Sequence, residues 1–452
     1  MRKESDLRGY QSRAVDLMVY NEKLGLFLEC GLGKTVITYT AIVRLKALGL
    51  INKVLVVAPK TVAENVWPHE PDEWEHLQGL RVSLIAGTPA QRKTAMERDA
   101  DVYVVSRDNV AKLSMERSFY GRCDMLVLDE STSFKNPSNQ RFKAFARKLK
   151  RPRKWIDEFR RVYLLTGTPV SESMEALWGQ MYLLDRGERL FPTITQFRRT
   201  YMQPEMIRNC IIYRRFLPGA EDVIKQKVKD LCVSMRKEDW LELPDLVSVI
   251  RWTGYTPDGL YKTMKTDGVV SVEDHHIMAV DGATRFNKMR QISSGYIYTE
   301  LGQSLFIHDK KEETLKELLE SIGNKPVLVF YQFDFEREFL ILDMGCETLE
   351  TPDQQARWNA GEIKRACAHP ASLGYGNNLQ AGGNIIVWYS LPLSLEQYVQ
   401  ANNRLHRSGQ KERVILYHLL GKGTVEERIY KLLTAKKAVL LKDIMLYLKE
   451  EM

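Results

Sequence analysis

Two sets of short apolar runs, separated by a long gap, constrain this chain more than any other feature. VLVVAP (54–59), VYVVS (102–106), MLVLDE (125–130) and VYLLTGT (162–168) form the first set; PVLVFYQ (326–332), ACAHPAS (366–372), NIIVWYS (384–390) and RVILYHLL (413–420) form the second. Each run has the length of one buried strand, and the stretches between them are long enough for a helix. Strands that are apolar along their whole length belong in parallel sheets, because each parallel crossover lays a helix over a sheet face. The pattern predicts an α/β chain with two mostly parallel sheets flanked by helices. At 452 residues the chain can bury a core around each.

The gap, about 185 to 320, reads mostly as charged amphipathic helix with a strand-like break at LVSVIRWTGY (246–255). A proline after an acidic helical stretch commonly ends it, which sets the boundary near Pro244. Residues 1–243 are then a first lobe with a helical insertion from about 185. Residues 244–452 are a second lobe with its own helical insertion. The last run, TVEERIYKLLTAKKAVLLKDIMLYLKEEM, has helical spacing and predicts a brace helix packed back onto the body of the protein.

Composition narrows the class. Hydrophobic residues at 44% and charged residues at 27% exclude a largely disordered chain. No apolar run approaches the roughly 18 residues a membrane span needs, and MRKESDLRGY lacks the apolar core of a secretory signal, so the expected home is cytoplasmic. Cysteines at 30, 123, 210, 232, 346 and 367 include no CxxC pair and offer no zinc ligand set. His275 and His276, in the acidic segment VEDHH, read as a solvent-exposed loop and not as metal ligands. The net charge of +8 permits an anionic partner. Cations gather between Lys135 and Arg161, where Asp157 and Glu158 are the only acids; charge alone fits a solvated face as well as a phosphate-tracking one.

Chemistry concentrates in three places. LGLFLECGLGKTVIT reads as strand, glycine turn and helix start, so the backbone of Glu29, Cys30, Gly31, Leu32 and Gly33 is expected to cradle phosphates. Lys34 would reach the β and γ phosphates and Thr35 would hold magnesium. Leu28 stands where the full P-loop pattern has its first glycine. MLVLDE places Asp129 and Glu130 at the carboxyl end of a buried strand, where open α/β sheets bind ligands. Asp129 would fix the magnesium and Glu130 would take a proton from the attacking water. In QYVQANNRLHRSGQ, Arg404 and Arg407 are three residues apart, the spacing of one helical face, and two such guanidiniums can neutralise charge on a γ-phosphate.

Taken together these segments resemble the superfamily 2 helicases, specifically the Swi/Snf-related DNA-translocating ATPases, from LRGYQ (7–11) to GTVEERI (423–429). HRSGQ (406–410) is the most specific string. The resemblance implies two RecA-like lobes, ATP with magnesium, and double-stranded DNA as partner. It makes the missing first glycine at Leu28 expected, and assigns Gln11 of LRGYQ to the adenine edge. LTGTP (165–169) is similar to the motif that couples nucleotide state to lobe movement. APKT (58–61), VVSRD (104–108), FYQF (330–333) and GYGNNLQAG (374–382) sit where the family grips DNA, implying contacts from Lys60, Thr61, Ser106, Gln332 and Asn378; Arg107 is added on charge. Backbone contacts of this kind bind without base specificity.

The chain departs from the family at DESTSFKN, where Ser131 and Thr132 replace the small residue and histidine of the usual DEAH, and at Pro392 and Leu393, where many relatives carry tryptophans. HPAS, NLQAGG and WYSLPLSLEQY look like the compact phage and bacterial branch, which places the chain in a bacterial or phage-infected cytosol. Targeting is left to the 185–320 stretch or to a protein partner. Three functions stay open: a duplex translocase, a strand-separating helicase, and a nucleotide-dependent DNA clamp.

Overall fold

The computed structural model describes residues 1–29, 31–146, 154–167, 169–170, 173–207, 210–235, 239–240, 243–373 and 378–435. It divides into two units, Met1–Leu241 and Glu242–Met452.

In the first unit the strands are β1 (Lys23–Leu28), β2 (Val54–Ala58), β3 (Val82–Ile85), β4 (Val102–Ser106), β5 (Met125–Asp129), β6 (Arg161–Leu165), β7 (Met202–Ile207), β8 (Cys210–Phe216) and β9 (Cys232–Met235). Seven of them form one sheet in the order β3-β4-β2-β5-β6-β1-β9. Every pairing in it is parallel. Strands β2, β4, β5 and β6 are buried at every position, which is why they are apolar throughout instead of alternating.

The second unit repeats the plan with β10 (Leu246–Thr253), β11 (Val269–Val272), β12 (His275–Met278), β13 (Tyr296–Tyr298), β14 (Ser304–Phe306), β15 (Val327–Phe330), β16 (Glu347–Thr348), β17 (Arg365–Ala368), β18 (Ile385–Trp388) and β19 (Val414–Gly421). Its parallel sheet runs β10-β19-β18-β15-β17-β16. The two sheets predicted from the apolar runs are both present.

The stretch from 185 to 320 departs from its mostly helical expectation. It contains antiparallel hairpins β7/β8, β11/β12 and β13/β14, and it supplies one outer strand of each sheet, β9 and β10, the second of which is the strand-like break expected at 246–255. Several of these strands are only three or four residues long, and others are partly exposed and carry charge, as β10 does. A half-exposed strand lacks the continuous apolar run that marked the inner ones. His275 and His276 lie on β12, not in a loop, and Ser271 Oγ and His276 Nδ1 meet across the hairpin at 2.8 Å. At the other end, helix Val425–Thr434 covers the start of the proposed brace; residues beyond 435 lie outside those described.

Part of the basic run is structural. Arg161 is buried, and its guanidinium donates to the carbonyls of Met18, Val19 and Asn21. These close the carboxyl end of helix Gly9–Tyr20, where a cation is favoured. Arg141 pairs with Asp108 and Arg160 with Glu22. No described helix is long and apolar enough to cross a membrane.

Candidate nucleotide site and nucleic-acid surface

In the first unit, β6 lies between β5 and β1, so three loops converge at the carboxyl edge of adjacent strands. This edge is where parallel sheets place their ligands. The loop after β1 turns through Gly31 at φ 91° and Gly33 at φ 79°, and helix Lys34–Ala47 starts at its end. A Cβ on Gly33 would come within 2.5 Å of Gln11 Nε2, so the side chain can approach only because the residue is glycine. Gln11 Nε2 and Tyr10 Oη both donate to Leu32 O at 3.2 Å. Gln11 Oε1 accepts from Arg8 N at 2.9 Å. The LRGYQ segment therefore holds the glycine turn directly. Cys30 lies outside the described residues, as does Thr168 of LTGTP.

Lys34 Nζ donates to Leu28 O at 3.1 Å and stands 3.9 Å from Glu130 Oε1. Thr35 follows in the first helical turn, half-buried. Asp129 ends β5 and is buried. Its Oδ2 accepts from the indole Nε1 of Trp67 at 3.0 Å, and its Oδ1 accepts from Glu130 N at 3.0 Å. Burial, then the neighbouring Glu130 carboxylate, push Asp129 up to about 6, against the pull of Lys34 and the indole N–H. Glu130 sits at φ 49°, a left-handed conformation that costs a non-glycine residue on the order of 1 kcal/mol. Thr166, just past β6, donates to Glu130 Oε2 at 3.3 Å.

The residues that replace DEAH have a partner of their own. Ser131 Oγ donates to Gln180 Oε1 at 2.8 Å, and Gln180 Nε2 donates to Pro169 O at 2.8 Å. The acidic strand end is thus tied to LTGTP through one fully buried glutamine. Gly179 lets helix Glu175–Asp185 come this close, since a Cβ there would meet Phe134 O and Lys135 O at 2.7 Å.

Strands β2 and β4 are neighbours with Ala58 opposite Ser106, and Arg107 N donates to Ala58 O at 2.8 Å. This brings APKT and VVSRD side by side. Lys60 is exposed, and Thr61 and Arg107 are half-buried. Ser106 is buried, its Oγ accepting from Asn109 Nδ2 at 3.1 Å. Its side chain therefore braces the loop.

In the second unit, Gln332 follows β15. The Gln332 and Phe333 N–H groups donate to Glu336 Oε2 at 2.8 and 3.2 Å. Ser294 and Ser390 hydroxyls donate to Oε1 of this buried carboxylate, each at 2.5 Å. Asn378 is exposed, and its carbonyl accepts from Asn359 Nδ2 at 2.7 Å; residues 374–377 of the same motif lie outside those described.

The arginine box corrects one expectation. Helix Leu395–Asn402 ends before Arg404, so Arg404 and Arg407 are carried by consecutive turns and not by one helical face. Gln410 explains the break: its Nε2 donates to the carbonyls of Gln380, Gly383 and Leu405, folding the box against the 380–383 loop. Arg404 is buried and Arg407 half-buried. Trp67, Gln180, Glu336 and Gln410 were not assigned from sequence. Gln410 lay inside the HRSGQ string; the other three carried no spacing signal.

A parallel α/β unit with a glycine turn, adjacent carboxylates at a strand end and a threonine hydroxyl on the second of them is the arrangement of a nucleotide-hydrolysing ATPase core. The chain belongs to the SNF2-related family, whose domain matches residues 10–253. That places it among the helicase-like, DNA-dependent ATPases. It is 30% identical over 451 residues to putative protein p41 of Acyrthosiphon pisum secondary endosymbiont phage 1, covering 96% of each chain. It is 25% identical to the ATP-dependent helicase fft1 of Schizosaccharomyces pombe, covering 95% of this chain and 52% of that one. The chain thus spans about half of that longer relative. The Sulfolobus solfataricus SWI2/SNF2 ATPase core solved with double-stranded DNA aligns over 95% of this chain and 91% of that one, at 20% identity and a TM-score of 0.45.

Proposed function

We propose that this protein is an ATP-driven motor that moves along double-stranded DNA and remodels the DNA, or proteins bound to it, without separating the strands. The observation that carries the reading is the convergence of Lys34, Asp129 and Glu130 at one sheet edge, with Lys34 Nζ 3.9 Å from Glu130 Oε1. In this reading the Glu29–Gly33 turn cradles the phosphates, Lys34 reaches the β and γ groups, and Gln11 reads the adenine edge. Glu130 takes the proton of the attacking water while Thr166 orients its carboxylate. Arg404 and Arg407 neutralise charge on the γ-phosphate.

The donor set fits magnesium. A buried carboxylate fixed by an indole and a backbone N–H, together with a threonine hydroxyl in the first turn of the helix after the glycine turn, offers the oxygen ligands a hard cation takes. Asp129 and Thr35 would hold it, and when bound it supplies charge neutralisation at the phosphates.

Lys60, Thr61 and Arg107 contact the DNA backbone from the first unit, and Gln332 and Asn378 from the second, so binding is sequence-tolerant. The names of the longer relatives, an ATP-dependent helicase and CHD3-type chromatin-remodeling factors, agree with a motor on DNA. Targeting comes from the 185–320 stretch or from a protein partner.

The test sets two substrates side by side with ATP. The protein should strip a triplex-forming third strand from a duplex and leave a forked duplex annealed. Efficient ATP-dependent release of a strand from the fork makes strand separation the better description. ATP-dependent DNA binding with neither displacement makes it a clamp.

A further inference from the structure

Trp67 is fully buried and touches both halves of the nucleotide site. Its indole Nε1 donates to Asp129 Oδ2 at 3.0 Å. Its carbonyl accepts from Tyr39 Oη at 2.5 Å, and the two rings lie 5.2 Å apart at 53°. Tyr39 belongs to helix Lys34–Ala47, the helix that begins with Lys34 and Thr35. One residue therefore spans from that helix to the strand-end carboxylate.

The same tryptophan ends the segment that starts with Lys60 and Thr61. Helix Lys60–Asn65 begins directly past β2, and the N–H of Trp67 returns to Val62 O at 3.1 Å. Pro59 precedes the helix, Val62 and Ala63 are buried, and this one short helix joins Lys60 and Thr61 to the tryptophan. The indole in turn fixes which way the Asp129 carboxylate faces. The indole holds Oδ2 while the Glu130 N–H holds Oδ1, so the remaining lone pairs of this buried carboxylate keep a defined direction, as outer partners of metal ligands ensure.

We propose that Trp67 is the positioning residue through which DNA contact at Lys60 and Thr61 reaches the magnesium carboxylate Asp129. This rests on the motor reading for the identity of the two ends, but the link between Trp67 and Asp129 is tested without DNA. Trp67→Phe keeps an aromatic ring in the core and removes the N–H donor together with part of the indole's buried bulk, so some loss of thermal stability is expected beside the effects on magnesium. The magnesium concentration that half-saturates binding of a fluorescent ADP analogue should rise about tenfold, within the range for losing an outer partner of a metal ligand. Stimulation of ATP hydrolysis by duplex DNA should fall toward none, while affinity for the duplex at fixed salt stays within about twofold, because the phosphate contacts remain. A purely structural tryptophan would lower thermal stability and move neither the magnesium dependence nor the stimulation ratio.

Tyr39→Phe provides the second arm if Trp67→Phe does not fold. It loses the hydroxyl that holds Trp67 O and should shift the magnesium dependence in the same direction by a smaller factor. An unchanged magnesium midpoint in the folded variant overturns the proposal. If the wild-type ATPase ignores duplex DNA, the motor reading fails, and the magnesium midpoint still decides whether Trp67 positions Asp129.

Discussion

Thr166 Oγ1 lies 3.3 Å from Glu130 Oε2, and this hydroxyl belongs to LTGTP while the carboxylate belongs to the acidic strand end. Both residues are buried. The bond occupies one carboxylate oxygen from the β6 side, and Lys34 Nζ approaches the other at 3.9 Å. Glu130 is thus held from two directions although its own backbone is in a left-handed conformation.

Glu130→Gln should abolish ATP turnover and leave ATP binding intact, since the amide keeps the shape and the hydrogen bond to Thr166 but cannot take a proton. Thr166→Val should lower kcat by about tenfold or more with little change in nucleotide affinity, because it frees the carboxylate to turn without touching the phosphates. Single-turnover hydrolysis and equilibrium binding of an ATP analogue separate the two quantities. Substantial hydrolysis by Glu130→Gln removes the general-base role from this residue.

The inner strands were legible because burial on both faces leaves only apolar residues, and the nucleotide turn was legible because glycine at positive φ and a strand-end acid pair have few other uses. In 185–320 the edge strand β10 was legible as the break at 246–255, whereas β9 and the hairpins were hidden, since strands this short or half-exposed give no apolar run that separates them from amphipathic helix. Ser131 read only as a departure from the family's usual DEAH. Its partner, Gln180, is 49 residues away, and no local pattern marks a glutamine that becomes buried only when its helix docks. Arg404 and Arg407 were assigned to a helical face by their spacing alone, and the Gln410 side chain, bonding three carbonyls, produced turns there instead.

Below neutrality the second unit should lose stability through His418. Its ring is buried on β19, with Nε2 2.9 Å from Tyr398 Oη, and burial pushes it down to about 3. The unfolded ring titrates near about 6.5, so the unfolded state binds the proton that the folded state refuses. The contribution is fully present above about pH 6.5 and is lost as pH falls from there toward 3, at up to about 1.4 kcal/mol per pH unit. Urea unfolding at several pH values should show this slope, and His418→Gln should flatten it while being less stable at pH 7.5. Equal slopes in the two proteins would show that other groups carry the acid sensitivity.

Glu336 separates two substitutions that would look alike if only charge mattered. Oε2 receives the N–H groups of Gln332 and Phe333, and Oε1 receives the hydroxyls of Ser294 and Ser390. A glutamine can keep its oxygen toward the two backbone donors, because the serine hydroxyls can rotate to accept from its amide. A methionine leaves the backbone donors buried and unsatisfied, which costs on the order of 1–3 kcal/mol for each group. Glu336→Met should therefore lower the urea midpoint of the second unit markedly and weaken duplex DNA binding, since Gln332 loses the support that sets its loop. Glu336→Gln should remain within about 1.5 kcal/mol of wild type and bind DNA nearly as well. If both variants lose DNA affinity equally while staying folded, the negative charge of Glu336 matters in its own right and the hydrogen-bond account of the Gln332 loop is wrong.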